Sequence, residues 1–375
     1  MELEDRIAGA LYGGAIGDGM GAPVEGWPAQ KIAAQFSRVD EFLPPTHGGD
    51  PAQGKGNGRI TDDTLMIEAL MYAYLAADDH LDAHGFERYL IPEITDRRTW
   101  VPERQAEIAV VERLWWPEKY PWMRLTVNHA EPRTAGVCNC VNCGVAMYIW
   151  PVGAVNAGDP VGAYHEAVEI GAAHNESFAV EAAAVMAGAT AAALGPDPTI
   201  DLVCHTARDL ARDGTGLAIA ACLDAVSSSD DLATFIGKVR QAVAPFDMRT
   251  GHTADDKPLL GEHAMSNIGR PSRLHSIEEL PVALAALKWG GGEFLRTIQA
   301  SVFYGRDCDS IAGMAGSLFG AIFGTLSIPE KLRGAVDRAN RRNFAGLAAE
   351  FTPLIGRILG RDERRLAARK RAAGK

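Results

Sequence analysis

The stretch from Phe178 to Leu194 is built almost wholly of Ala, Val and Met. A segment this uniformly apolar belongs at the centre of a large helical core, because a surface helix needs a polar face. Helical spacing recurs along the chain. Leu65, Met66, Leu70, Met71, Tyr74 and Leu75 follow Asp63 in that register. The stretches 217–226, 232–243, 280–289 and 294–303 read the same way. Alternating strand patterns bounded by turns are scarce. The expected fold class is therefore all-α, a single compact bundle of many helices. No fixed-period repeat or break in composition divides it. One domain over residues 1–360 is expected, followed by a basic C-terminal tail, 361–375, read as a solvated helix end.

The 375 residues are 47% hydrophobic and 23% charged, enough for a large core without disulfide or metal staples. A net charge of −11 speaks against a nucleic-acid partner, since phosphate binding rests on clustered Lys and Arg. The opening Met1-Glu2-Leu3-Glu4-Asp5 is acidic and lacks the positive start of a signal peptide. The stretch from Ser310 to Pro329 carries no charge and is long enough to span a bilayer. It is crowded with Gly and Ala and follows two aspartates, so it is read as a core helix, and no membrane partner is expected. Three of the six cysteines sit together as Cys138, Cys140 and Cys143. With no secretory signal they are expected to be reduced thiols in the cytoplasm. A zinc site would need a fourth ligand, for which His129 is the nearest candidate, and a structural role is preferred. Residues 47–59 read as an exposed loop. The Trp- and Pro-rich segment 97–132 reads as a packed excursion, with a lid or an oligomer contact as the alternative.

Two short acidic segments carry the chemistry. Gly58-Arg59-Ile60-Thr61-Asp62-Asp63-Thr64 opens a helix near Asp62, and Gly305-Arg306-Asp307-Cys308-Asp309-Ser310 opens a second one. Capping explains one Asp, Ser or Thr at a helix start, because the side-chain oxygen accepts an unpaired backbone N–H. It explains two carboxylates poorly, since adjacent negative charges repel unless a cation lies between them. Carboxylate and hydroxyl oxygens are hard donors that suit Mg²⁺, Mn²⁺ or Ca²⁺ rather than zinc. Four such carboxylates can hold two divalent ions about 3.5–4 Å apart.

The chain resembles the ADP-ribosylglycohydrolase family, which includes the dinitrogenase reductase-activating glycohydrolases, from about Ile7 to Gly324. The run from Gly9 to Glu25 looks like the family's opening helix and the acidic residue that follows it. Thr61-Asp62-Asp63-Thr64 is similar to its first metal motif, and Asn142-Cys143-Gly144-Val145-Ala146-Met147 to its substrate loop. Ala173-His174 resembles a Thr-His pair, and Asp307-Cys308-Asp309-Ser310-Ile311-Ala312 the second metal motif. The resemblance implies an orthogonal helical bundle in which Thr61, Asp62, Asp63, Asp307, Asp309 and Ser310 hold two Mg²⁺ or Mn²⁺ ions against the ribose hydroxyls. It implies catalytic roles for Glu25, Asp62, Asp63 and Asp309, and a pocket lined by Asn142, Gly144 and His174. Glu25 also has a plain alternative as a paired carboxylate that orients a loop, and His174 one as a core histidine.

Several positions depart from the family pattern. Arg306 stands where Gly is usual, either pairing with an acid or offering a fork to the substrate. Cys308 and Ser310 replace Thr, Cys143 replaces Gly, Tyr148 replaces Arg, and Trp150 replaces a small residue. An aromatic pair at Tyr148 and Trp150 would stack a base. The leading expectation is hydrolysis of the bond from an ADP-ribosyl group to a protein side chain or small acceptor. The alternatives are a hydrolase for a free nucleoside or other small ribosyl N-glycoside, and a non-catalytic, crystallin-like member. Retention of all six ligand positions argues against the last.

Overall fold

Glycines at four-residue intervals decide how the centre is built. A computed structural model describes residues 2–46, 55–246 and 276–374. The N-terminal helix, Leu3–Gly21, runs antiparallel to the helix Cys308–Phe323, and each is buried over most of its length. Gly9 faces Gly320, Gly13 faces Gly316, and Gly17 faces Ala312. A Cβ built on Gly13 would lie 2.0 Å from the Gly316 carbonyl oxygen, so the two backbones touch with no side chain between them. The uncharged stretch from Ser310 onward is thus the core partner of the first helix. Among the described residues no helix is long and apolar enough to cross a membrane.

The fold is all-α. The expected helices appear as Asp62–Ala77, Phe178–Ala193, Asp213–Ala225, Leu232–Val243, Ser276–Gly290 and Phe294–Tyr304. The alanine-rich Phe178–Ala193 helix packs on its neighbours Trp150–Val155, Pro160–Ala172 and Ile200–Leu210. A single hydrophobic cluster runs from Ile7 to Ile358. Sheet structure among the described residues is one antiparallel hairpin, Arg98–Val101 with Ala106–Ala109, inside the Trp-rich segment.

The last helix, Phe344–Ala372, passes residue 360 without a break. Its stretch around 357–365 is docked on the loop after Asp62–Ala77. Arg357 Nε donates to Asp78 at 2.7 Å, Arg361 pairs with the same carboxylate, and Arg365 meets Asp79 at 2.9 Å. Residues 363–374 are exposed. His80 completes the contact, with Nδ1 2.6 Å from Glu166 and Nε2 2.9 Å from Asp362. Carboxylates only accept, so both ring nitrogens donate and the ring is an imidazolium. Burial pulls its pKa down, but Glu166 and Asp362 outweigh that and lift it to about 9. The contribution is therefore complete below the unfolded value near 6.5 and is lost as pH rises through about 9. Thermal unfolding from pH 6 to 9.5 is expected to show wild type losing its advantage over His80→Gln, on the order of 1 kcal/mol after solvent screening. A difference that stays constant over that range would refute the linkage.

Candidate active site

The antiparallel pair sets the end of the first helix against the start of the second. A Cβ on Gly21 would lie 2.5 Å from the Asp309 backbone, and Cys308 Sγ donates to the Gly21 carbonyl at 3.4 Å. The loops beyond are laced together. Arg306 N–H donates to Trp27 O at 2.9 Å, and Gly26 N–H donates to Arg306 O at 2.6 Å. Gly305, at φ +77°, lies so close to Trp27 O that a side chain would clash there. This ladder holds Glu25 beside Asp307 and Asp309, whose carboxylate oxygens lie within 4.8 Å of its own.

The third contributor is the start of Asp62–Ala77. Thr61 is its N-cap, accepting from Asp63 N–H at 3.3 Å and donating to Asp63 Oδ2 at 3.0 Å. Asp63 in turn converges with Asp309 and with a carboxylate that sequence reading missed, Asp18. Asp18 is wholly buried in the first helix. It accepts from Thr61 N–H at 2.9 Å, from Thr64 N–H at 3.3 Å and from the Thr64 hydroxyl at 2.5 Å. Its signal was available: it is the only charged residue between Ile7 and Pro23.

Glu25, Asp63, Asp307 and Asp309 line a cavity of about 370 Å³ with Asp62, Asn142, Cys143, Met147 and Ser310, whereas Asp18 and the expected ligand Thr61 are wholly buried and do not line it. Cys143 Sγ donates to Asp307 Oδ2 at 2.9 Å. The opposite wall comes from the Trp-rich segment, as Arg113, Leu114, Trp115 and Glu118. Arg113 is held by Glu103 at 2.9 Å, and Trp115 is half exposed at the mouth. The Glu118 carboxyl is buried under Gly144, and neither oxygen has a hydrogen-bond partner among the described residues. Residues 47–54 of the presumed exposed loop lie outside the described residues. Its described end turns inward, where Lys55 pairs with Glu25 and lies 3.6 Å from Asp309.

Burial, and after it the crowding of carboxylates, governs the electrostatics. Burial and neighbouring negative charges push Asp63 and Asp307 well above the usual range. Burial lifts Asp18 to about 6, against its threonine donors. Burial and then Asp309 lift Glu25 to about 7, against Lys55. Asp63 Oδ1 and Asp309 Oδ1 are buried with no hydrogen-bond partner among the described residues. Orphaned hard oxygens in a carboxylate cluster are what a divalent cation fits.

Five expected pocket residues do not line the cavity. Tyr148 and Trp150 are fully buried, so they present no face to a base. The Tyr148 hydroxyl donates to His174 Nδ1 at 2.8 Å, and His174 Nε2 donates to Pro117 O at 3.1 Å. His174 is wholly buried and, by burial, titrates near 4, so it is a neutral core histidine supporting the wall. Arg306, at φ +60° where the family has Gly, turns from the cavity to pair with buried Glu278. Gly144 lies just behind the lining; a Cβ there would sit 2.7 Å from Glu118 Oε1. Among the described residues the convergent ligand groups contain no cysteine, and no disulfide joins the six cysteines.

The fold is a helical bundle with a carboxylate-lined cavity. The ADP-ribosylglycohydrolase family model matches residues 1–364, and the chain belongs to that family. It is 24% identical over 347 residues to the uncharacterized protein YegU of Escherichia coli, covering 91% of this chain and 94% of that one. It is 25% identical over 346 residues to an uncharacterized protein of Archaeoglobus fulgidus, covering 90% and 93%. A solved chain described as an ADP-ribosylglycohydrolase-related protein complex superposes with a TM-score of 0.61 at 19% identity, covering 94% of this chain and 99% of that one.

Proposed function

We propose that the protein is a divalent-cation-dependent hydrolase that cleaves the bond from the ribose of an ADP-ribosyl group to its acceptor. One observation carries the reading: Glu25, Asp63, Asp307 and Asp309, from three distant segments, meet in one cavity where two buried carboxylate oxygens have no hydrogen-bond partner among the described residues. Thr61, Asp62, Asp63, Asp307, Asp309 and Ser310 would hold the ions, Mg²⁺ or Mn²⁺. When bound, such ions supply positive charge that orients ribose hydroxyls and eases proton loss from water.

The chain's own residues do the rest. Glycosidic cleavage builds positive charge on the anomeric carbon and negative charge on the leaving atom. Glu25 titrates near neutrality and reaches the cavity, so it is suited to pass a proton to the departing group, help worth about 10²–10⁴-fold. The carboxylate cluster faces the developing cation. Cys143 and Thr61 orient Asp307 and Asp63 by hydrogen bonds. Glu118 offers its carboxyl to a donor on the substrate.

A small ribosyl N-glycoside is the second reading. It no longer rests on Tyr148 and Trp150 but on Trp115, whose half-exposed ring borders the cavity and can stack a base. The purified full chain, given Mg²⁺ or Mn²⁺ together with ADP-ribosylated protein or a nucleoside panel, separates the two by product analysis. Free ADP-ribose is the expected product, and its release should cease with chelator. Absence of any ribosyl product would overturn both readings.

A further inference from the structure

The two carboxylate groups of the cavity are not equivalent. The Glu25–Asp307–Asp309 group already has a cation on it: Lys55 Nζ pairs with Glu25 Oε2 and lies 3.6 Å from Asp309 Oδ2. In the Asp18–Asp63–Asp309 group, which shares Asp309 with the first, Asp18 and Asp63 are met among the described residues by neutral donors from Thr61 and Thr64, and Asp63 Oδ1 and Asp309 Oδ1 are both orphaned there. Lys55 is well buried, with a side chain only 23% exposed, and it is tied to the fold through Gly56 and Gly58, which are packed against Pro45 and Phe42. An ammonium held in this way competes at an effective concentration set by its tether, in the millimolar range for short flexible links.

We propose that Lys55 is a tethered counter-cation of the Glu25 side of the cavity. The protein then takes one divalent ion readily, at the Asp18–Asp63–Asp309 side. It takes a second only by displacing the Lys55 ammonium from Glu25 and Asp309. This rests on the divalent-cation reading above. Lys55 thereby sets both the order of loading and the divalent concentration at which the Glu25 side becomes filled. It also keeps Glu25 and Asp309 from facing each other uncompensated before the second ion arrives.

The test is calorimetric titration of the metal-free full chain with Mn²⁺, together with Mn²⁺ electron paramagnetic resonance. In wild type, one ion should bind tightly and a second at least tenfold more weakly. The resonance at one equivalent should be that of an isolated ion. In Lys55→Met the second step should tighten at least tenfold with the first unchanged, and a coupled-pair spectrum should appear at two equivalents. Lys55→Arg, which keeps the charge, should retain the weak second step. Two ions taken up with equal affinity by wild type overturn the proposal without recourse to any variant. So do superimposable isotherms for wild type and Lys55→Met, while leaving the cation-dependent reading intact. No Mn²⁺ uptake by wild type or Lys55→Met would instead remove the divalent-cation reading, and this inference with it.

Discussion

Asp63→Asn is expected to abolish turnover and to raise the melting temperature of the metal-free protein. The two effects have one cause. Asp63 is buried, Oδ1 lacks a hydrogen-bond partner among the described residues, and Asp18, Asp307 and Asp309 all press negative charge on it. Burial, then those neighbours, raise its pKa well above the ordinary carboxylate value, so the ionised form opposes folding. Asn has nearly the same shape, no charge, and an amide N–H₂ for the surrounding carboxylates. Because the folded pKa lies above the unfolded one, the aspartate's penalty is absent at low pH and grows as pH rises. The variant's advantage should therefore be small near pH 4.5 and larger at pH 8. A chain of this size shifts about 1–2 °C per kcal/mol, so a gain of roughly 1–4 °C in chelator is expected. With Mn²⁺ the order should reverse, because wild type gains from the ion and the variant does not. Turnover should fall at least about 10⁴-fold, the upper end of what loss of one general acid–base group produces, because the cation site is lost as well. A variant that melts below wild type in chelator at pH 8 would show that the carboxylate cluster is not under electrostatic strain.

What the sequence made legible follows from the range of each interaction. Helix starts are local, so Thr61 as a cap and the helices from Asp62 and Cys308 could be read from a few neighbouring residues. That the two starts would face each other is not local, and it was accessible only through the resemblance. The physical reason lies in the four-residue glycine spacing of the first helix and its complement in Gly313, Gly316 and Gly320. Asp18 was overlooked because a lone acid among glycines has no motif, although its isolation in a buried helix demanded a partner. Tyr148 and Trp150 were misassigned because the family position gives the place in the chain but not the rotamer. A large ring replacing a smaller group turned inward, where the core could bury it. Lys55 could not be foreseen at all, since a Lys in a glycine-rich loop looks solvated until the fold closes on it. Glu118, Arg113 and Trp115 belong to a segment for which a lid was one reading, and they do form a wall of the cavity.

Gly13→Ala should destabilise the protein far more than its chemistry implies. In an ordinary helix this change is favourable by about 1 kcal/mol, because glycine gives up more backbone freedom on folding. Here the new Cβ would stand 2.0 Å from Gly316 O and 2.7 Å from Gly316 C. Both are backbone atoms, so no rotamer change relieves the clash and the two central helices must move apart. Overpacking of this kind typically opposes folding by about 1–3 kcal/mol and sometimes more. With both helices buried over most of their length, a loss of several kcal/mol, about 5 °C or more, is expected. The site should register the displacement, since Gly13 lies only roughly 7 Å along the helix axis from Asp18. Mn²⁺ affinity should drop at least tenfold in the fraction that folds. Gly237→Ala and Gly356→Ala are the controls: each sits in a helix with nothing within 4 Å of the added Cβ, so each should melt at or slightly above the wild-type temperature. If Gly13→Ala behaves like these two, the helices are not in backbone contact, and the geometry that brings Asp18 and Asp309 together is wrong.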